Sequence, residues 1–206
     1  QHDPKRPDTP SGGRIWALLG DAAGGVWIGT NEGLDYLPSG VAASGVATSG
    51  VAAPGGTRVR HFQHQEGNPH SLIDNRIRSL LLDRQGMLWV GTVVGLKRHQ
   101  PGTTAKEQFV RVASTPNQAD SLAGQNIQTL FQAKDGKIWI GTHKQGAAWL
   151  EPGADLSGAA ALHWLHPDPQ RPDQLSHGWV DAIIEAEPGQ IWLATAGGGI
   201  NIVSGA

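Results

Sequence analysis

The chain has 206 residues, a net charge of −2 and a pI near 6.5, so it offers no basic field to nucleic acid or to an anionic membrane. It contains no cysteine, which excludes disulfides, thiolate metal ligands and a cysteine nucleophile. No apolar run approaches the roughly 18 residues that a membrane-spanning helix requires.

The chain opens on Gln1 without a methionine, which is consistent with a removed signal peptide or an upstream domain. A stretch of prolines and charges, His2 to Pro10, leads into an apolar strand at Ile15 and Trp16. A turn at Asp21–Gly25 follows, and then the phrase Trp27-Ile28-Gly29-Thr30. From Gly40 to Gly56 the sequence is of low complexity, with Gly at 40, 45, 50 and 55, and reads as a flexible insert on the outer rim.

The second repeat is the clearest. Arg76–Leu82 reads as a strand, Asp83-Arg84-Gln85-Gly86 as a hairpin turn, and Met87–Thr92, containing Trp89-Val90-Gly91-Thr92, as the next strand. Leu96–His99 and Phe109–Val112 supply a third and a fourth strand. The third repeat turns at Lys134-Asp135-Gly136 and carries Trp139-Ile140-Gly141-Thr142. The fourth turns at Glu187-Pro188-Gly189 and carries Trp192-Leu193-Ala194-Thr195.

The four tryptophans are 62, 50 and 53 residues apart, and each follows an aliphatic residue (Ile15, Ile77, Ile127, Val180) by 12 positions. That combination describes a fixed core with elastic loops, at the period of a propeller blade. The expected fold is an all-β propeller of four-stranded antiparallel blades, about 14–66, 76–115, 126–167 and 179–204, within a single region 1–206. The second strands are apolar on consecutive residues, as strands covered on both faces are. Each Trp should fill a wedge between blades, and Gly29, Gly91, Gly141 and Ala194 should let the neighbouring blade come close.

The segment before Ile15 matches His166–Gln174 in character, and the chain stops after the third strand of its fourth repeat. It therefore reads as a slice of a longer propeller with two bare blade faces, which predicts self-association or completion by the remaining blades.

In a propeller, the links entering each first strand and the turns between second and third strands share one rim near the axis. That places Arg14, Asn31, Glu32, Asn75, Arg76, Gln125, Asn126, His143, Lys144, Gln145, His177 and Trp179 together. Amides, guanidinium groups and an indole suit sugar hydroxyls, carboxylates and ring faces, and Arg76, Asn126 and Trp179 are expected to line a shared pocket. The plainer alternative is that these are solvated loop residues serving strand-entry turns. Trp149 and Trp164 read as outer-blade packing, and Trp16 as core or channel lining. The nine His form no metal motif, and neither a phosphate loop nor a calcium loop occurs, so no metal or cofactor is expected.

Ser71-Leu72, Asn75, Ile77, Asp83, Gly86, Leu88-Trp89-Val90-Gly91-Thr92 and Gly95-Leu96 resemble the two-component regulator propeller repeat. The third copy carries Ser121-Leu122 and Asn126 but has Gly146-Ala147 in place of Gly-Leu; the fourth has Leu175-Ser176 and Gly199-Ile200. The resemblance implies a slice of a seven-bladed sensor, periplasmic or extracellular, that binds a small ligand such as an oligosaccharide. A membrane helix and a histidine kinase or diguanylate cyclase output would lie elsewhere in the full-length receptor. An interaction scaffold is the second reading, although no Trp-Asp ends a repeat and no Gly-His begins one. An enzyme is the third, since Gly189–Thr195 is also similar to streptogramin-lyase repeats. That resemblance implies a His, Glu and Mg²⁺ constellation, for which the chain offers only His143 or His177 with Glu32. The expectation is that the chain is not an enzyme.

Overall fold

Each repeat folds into one antiparallel sheet whose strands lie side by side in chain order. A computed structural model describes residues 9–39, 59–99, 108–118, 120–168, 170–171 and 173–204; the insert at 40–56 and His2 to Asp8 lie outside them. The first sheet holds β1 (Ile15–Gly20), β2 (Val26–Thr30), β3 (Leu34–Leu37) and β4 (Arg60–Phe62). The second holds β5 (Ile77–Leu82), β6 (Leu88–Thr92), β7 (Gly95–His99) and β8 (Val110–Arg111). The third holds β9 (Ile127–Gln132), β10 (Ile138–Thr142), β11 (Ala147–Leu150) and β12 (Leu162–Leu165). The fourth has three strands, β13 (Val180–Glu187), β14 (Gln190–Thr195) and β15 (Gly199–Ser204). The first strands pack in sequence, β1 on β5, β5 on β9 and β9 on β13, which makes an arc of blades around an axis.

The Trp-x-Gly-Thr phrase does three jobs. Trp27, Trp89 and Trp139 are buried, each among residues of the following blade: Trp27 with Ile77, Leu88 and Val90, Trp89 with Ile127, Ile138 and Ile140, and Trp139 with Val180, Ile191 and Leu193. The glycine two residues on lies on the same face. A Cβ at Gly29 would sit 2.7 Å from Ile77 Cγ2, and one at Gly141 would sit 3.0 Å from Val180 Cγ1. The threonine closes the next turn: the Oγ1 groups of Thr30, Thr92, Thr142 and Thr195 donate to the carbonyls of Gly33, Gly95, Gly146 and Gly199 at 2.9–3.0 Å.

The hairpin turn is built by its first residue. Asp83 accepts from the backbone N–H of Gln85 (3.0 Å) and Met87 (2.9 Å), and from Trp89 Nε1 (2.7 Å). Gly86 takes the positive φ of 78° that the turn requires. In the first blade Asp21 makes the same backbone contacts but accepts from the Tyr36 hydroxyl. The third blade has Ala133 at this place, and Trp139 Nε1 is buried without a partner among the described residues.

A second position is occupied differently in each blade. It lies two residues after the glycine that accepts from each motif threonine, and in three blades its side chain clamps the link that enters that blade. Asp35 accepts from Ser11 N–H at 2.7 Å, and Asn201 Oδ1 accepts from Ser176 N–H at 2.9 Å. Lys97 Nζ donates to the carbonyls of Pro69, Ser71 and Phe109. Ala148 makes no such contact, and Ser121 Oγ instead accepts from Thr115 N–H at 2.9 Å. The entering link is thus held through an N–H by an anion or an amide, and through its carbonyls by a cation.

The arc leaves two faces uncovered. Ile15 is 49% exposed, whereas its equivalents Ile77, Ile127 and Val180 are fully buried. At the other end Ile184 and Ile202, register partners of Trp192, and Ile200, partner of Ala194, are each more than half exposed.

Three outcomes follow. Gly91→Ala places a Cβ 2.2 Å from Ser79 Oγ and 2.8 Å from Ile127 Cγ2, and should cost about 1–3 kcal/mol in urea unfolding. Ala194→Val, on an uncovered face, should change stability by less than about 0.5 kcal/mol. Burial, with Arg111 as a lesser cause, lowers the Lys97 ammonium to about 8. Between about pH 8 and the unfolded value near 10.4 the unfolded chain therefore holds the extra proton, and stability should rise with pH across that window. Unfolding midpoints at pH 7.5, 8.5 and 9.5 should climb for the parent relative to Lys97→Met; parallel curves would refute the assignment.

Candidate functional site

The pairing of each first strand with its second slips by one residue at the same point in all four blades. Ile15 pairs with Thr30 and Ala17 with Gly29, leaving Trp16 as the extra residue. The same bulge isolates Arg78 between Ile77 and Ser79, Gln128 between Ile127 and Thr129, and Asp181 between Val180 and Ala182. A bulge re-aims the unpaired side chain, and here it does so once per blade. Trp16, Arg78, Gln128 and Asp181 line one axial groove of about 490 Å³ together with Asn126, His143 and Trp179.

The rim above the bulges is equally regular. The residue before each first strand accepts a backbone hydrogen bond from the residue after each motif threonine. The pairs are Arg14 with Asn31, Arg76 with Val93, Asn126 with His143, and Trp179 with Ala196, at 3.0–3.3 Å. The threonine hydroxyl also accepts from the second turn, at Glu32 N–H, Val94 N–H and Gln145 N–H. The rim residues are therefore positioned by the same motif that stacks the blades.

Of the residues named from sequence, Asn126, His143 and Trp179 line the groove, with the His143 and Trp179 rings 4.1 Å apart. Arg76 does not; its guanidinium donates to both Asp74 oxygens (2.9 and 2.7 Å) and holds that carboxyl below the usual range. Asn31 accepts from Arg14 N–H and donates to Glu32 at 3.2 Å; Lys144 is exposed on the same turn as His143. Trp149 lies on β11 between the rings of Trp139 and His163, and Trp164 Nε1 donates to the Asp120 carbonyl. Both belong to the outer strands.

Arg78, Gln128 and Asp181 escaped the sequence reading. Their signal is visible afterwards: one residue past each aliphatic of the 12-residue offset, the chain reads Trp, Arg, Gln, Asp, the position at which the four repeats differ most in chemistry. Strand alternation gave no reason to expect a bulge there.

The groove carries polar groups that the protein does not satisfy. Arg78 Nε, Asn126 Oδ1 and Trp179 Nε1 are buried and have no hydrogen-bond partner among the described residues. Arg78 instead lies with its Cζ 4.0 Å from the centroid of the Trp16 ring, and Arg14 Cζ is 4.9 Å from that centroid. Unpartnered buried groups cost on the order of 1–3 kcal/mol each, and three residues of this one groove carry such a group.

Residues 9–32, 71–93 and 121–144 match the two component regulator propeller repeat. No curated protein matches the chain. Among solved structures, the extracellular domain assigned to a hybrid two-component system of B. thetaiotaomicron, BT3049, aligns over 96% of this chain at TM-score 0.70 and 19% identity. PorZ, an essential surface component of the type-IX secretion system of Porphyromonas gingivalis, aligns over 98% at 0.67 and 15%. Virginiamycin B lyase from Staphylococcus aureus aligns over 92% at 0.50 and 12%, and over 55% of its own length. At these identities the likeness is one of fold. The chain spans only about a quarter of the first two, at 24% and 28% of their lengths.

Proposed function

We propose that this chain, which carries two-component regulator propeller repeats, is the ligand-binding sensor part of an extracytoplasmic receptor. The ligand is an oligosaccharide or related small molecule held in the axial groove. The observation that carries the reading is the register bulge: every blade spends one residue of its innermost strand on the groove, and the four residues differ in chemistry while the flanking core repeats. Conserved packing with variable lining is how a repeat scaffold builds a recognition surface. In the full-length receptor the signal would pass to a kinase or cyclase output.

The lyase reading has less support. His143 lines the groove, but Glu32 does not, and its carboxylate accepts from Asn31. His177 accepts from Trp179 N–H at 3.2 Å through Nδ1.

A thermal-shift panel of oligosaccharides tests the proposal. A ligand at 100 times its Kd should add about 2.7 kcal/mol, a rise of roughly 5–10 °C for a chain of this size. Trp179→Ala and Asn126→Ala should remove the shift, whereas Arg76→Ala should retain it. A panel without a shift would withdraw the small-ligand reading in favour of a protein-binding scaffold.

The uncovered faces are complementary halves of the blade interface. One presents Trp192 and Ala194 as Trp27 and Gly29 are presented inside, and the other presents Ile15 where Ile77 inserts. They are proposed to meet another copy or further blades. Light scattering should show concentration-dependent association that Ile202→Lys weakens; a stable monomer at all concentrations would oppose this.

A further inference from the structure

We infer that the groove binds its ligand through an anionic group seated at Arg78, and that the ligand is an acidic saccharide of the hexuronate class. This rests on the sensor reading and adds the sign and position of the charge.

Three arginines of this chain are held by protein acceptors. Arg76 forks onto Asp74, Arg171 onto Asp173, and Arg84 donates to the carbonyls of Ala133 and Lys134. Arg78 is distinguished by its place in the groove. Its guanidinium forms no ion pair and no hydrogen bond among the described residues, and its Nε is buried. The indole beneath it orients the planar fork without consuming a donor, since a π-face attracts the cation and leaves the N–H edges available. Arg14 sits against the same ring, and its side chain likewise forms no ion pair among the described residues. Two guanidinium groups gathered on one tryptophan without a carboxylate between them raise the local positive potential. A partly desolvated fork of this kind matches a carboxylate bidentately.

The remaining lining defines the rest of the guest. Gln128 and Asn126 supply amides, Asp181 a carboxylate acceptor and Trp179 an unpartnered indole N–H. This is the donor and acceptor mixture that hydroxyl groups satisfy. Asp181 stands on the fourth blade and Arg78 on the second, with Gln128 between them on the third. The groove is therefore polar along its length: an anionic substituent is attracted at the Arg78 end and repelled at the Asp181 end, where hydroxyls are accepted. A neutral sugar would leave the guanidinium unpaired, and a bare anion would leave Asn126, Gln128 and Asp181 unused.

Calorimetric titration of the 206-residue chain with trisaccharides of galacturonate and of glucuronate, beside their neutral galactose and glucose counterparts, tests this. Inorganic phosphate and acetate serve as bare-anion probes. The acids should bind at least tenfold more tightly than the neutral sugars, and should weaken between 50 and 500 mM NaCl. Arg78→Gln should abolish that preference, bringing the affinity for the acids down to that for the neutral sugars, and Arg78→Lys, which keeps the charge and loses the fork, should retain part of it. Unfolding midpoints equal to the parent's would show that both variants fold. Equal affinity for acid and neutral sugars, or an acid preference that survives Arg78→Gln, overturns the inference and leaves the sensor reading standing. Binding of phosphate or acetate as tight as that of the trisaccharides overturns the saccharide assignment. No binding of any saccharide at millimolar concentration overturns the saccharide-sensor reading and the inference with it.

Discussion

The contact on which the rest depends is the seating of an aliphatic side chain of one blade against the backbone of the blade before it. Ile77 on Gly29, Ile127 on Gly91 and Val180 on Gly141 are separations that a Cβ would close to between 2.7 and 3.0 Å. These contacts set the spacing of the innermost strands. With that spacing fixed, the Trp preceding each glycine fills the wedge that opens toward the outer strands, and three buried clusters form, one at each interface. Dense packing of this kind tolerates little change in volume, which is why the four repeats agree most closely at these positions.

The same seating explains the bulge. The aliphatic residue must point at the neighbouring glycine while the strand that continues from it must pair with its own second strand. One extra residue reconciles the two directions, and that residue has nowhere to go but the axis. Packing therefore determines where a groove-lining side chain emerges and leaves its identity open. Trp16, Arg78, Gln128 and Asp181 are the result: four different chemistries at one structural position, on a scaffold that does not depend on which is chosen.

The clamp on the entering link shows similar freedom. Asp35, Lys97 and Asn201 hold equivalent segments with opposite or no charge. The requirement is to satisfy backbone groups of a buried link, and any side chain with the complementary donor or acceptor meets it. A residue-by-residue reading of charge would have assigned Asp35 or Lys97 a chemical role; their partners are main-chain atoms, and, for Asp35, also Ser11 and His61.

The sequence alone determined the architecture. A fixed 12-residue offset from aliphatic to Trp, small residues after each Trp, and turn residues at constant places are local facts, and the blade is a local unit whose hairpins join neighbours in the chain. The candidate site was legible only in part. Asn126, His143 and Trp179 could be named because they belong to links and turns whose rim follows from connectivity. Arg78, Gln128 and Asp181 could not, because a one-residue slip in strand register reverses which face a side chain takes, and nothing in a run such as Ile77-Arg78-Ser79 announces the slip. Nor did Arg76 reveal its pairing with Asp74, although the two lie two residues apart. Tertiary structure decided the bulge positions because they arise from contacts between blades some 50 residues apart, where the insertion of one side chain onto a distant glycine dictates the path of the strand that carries it.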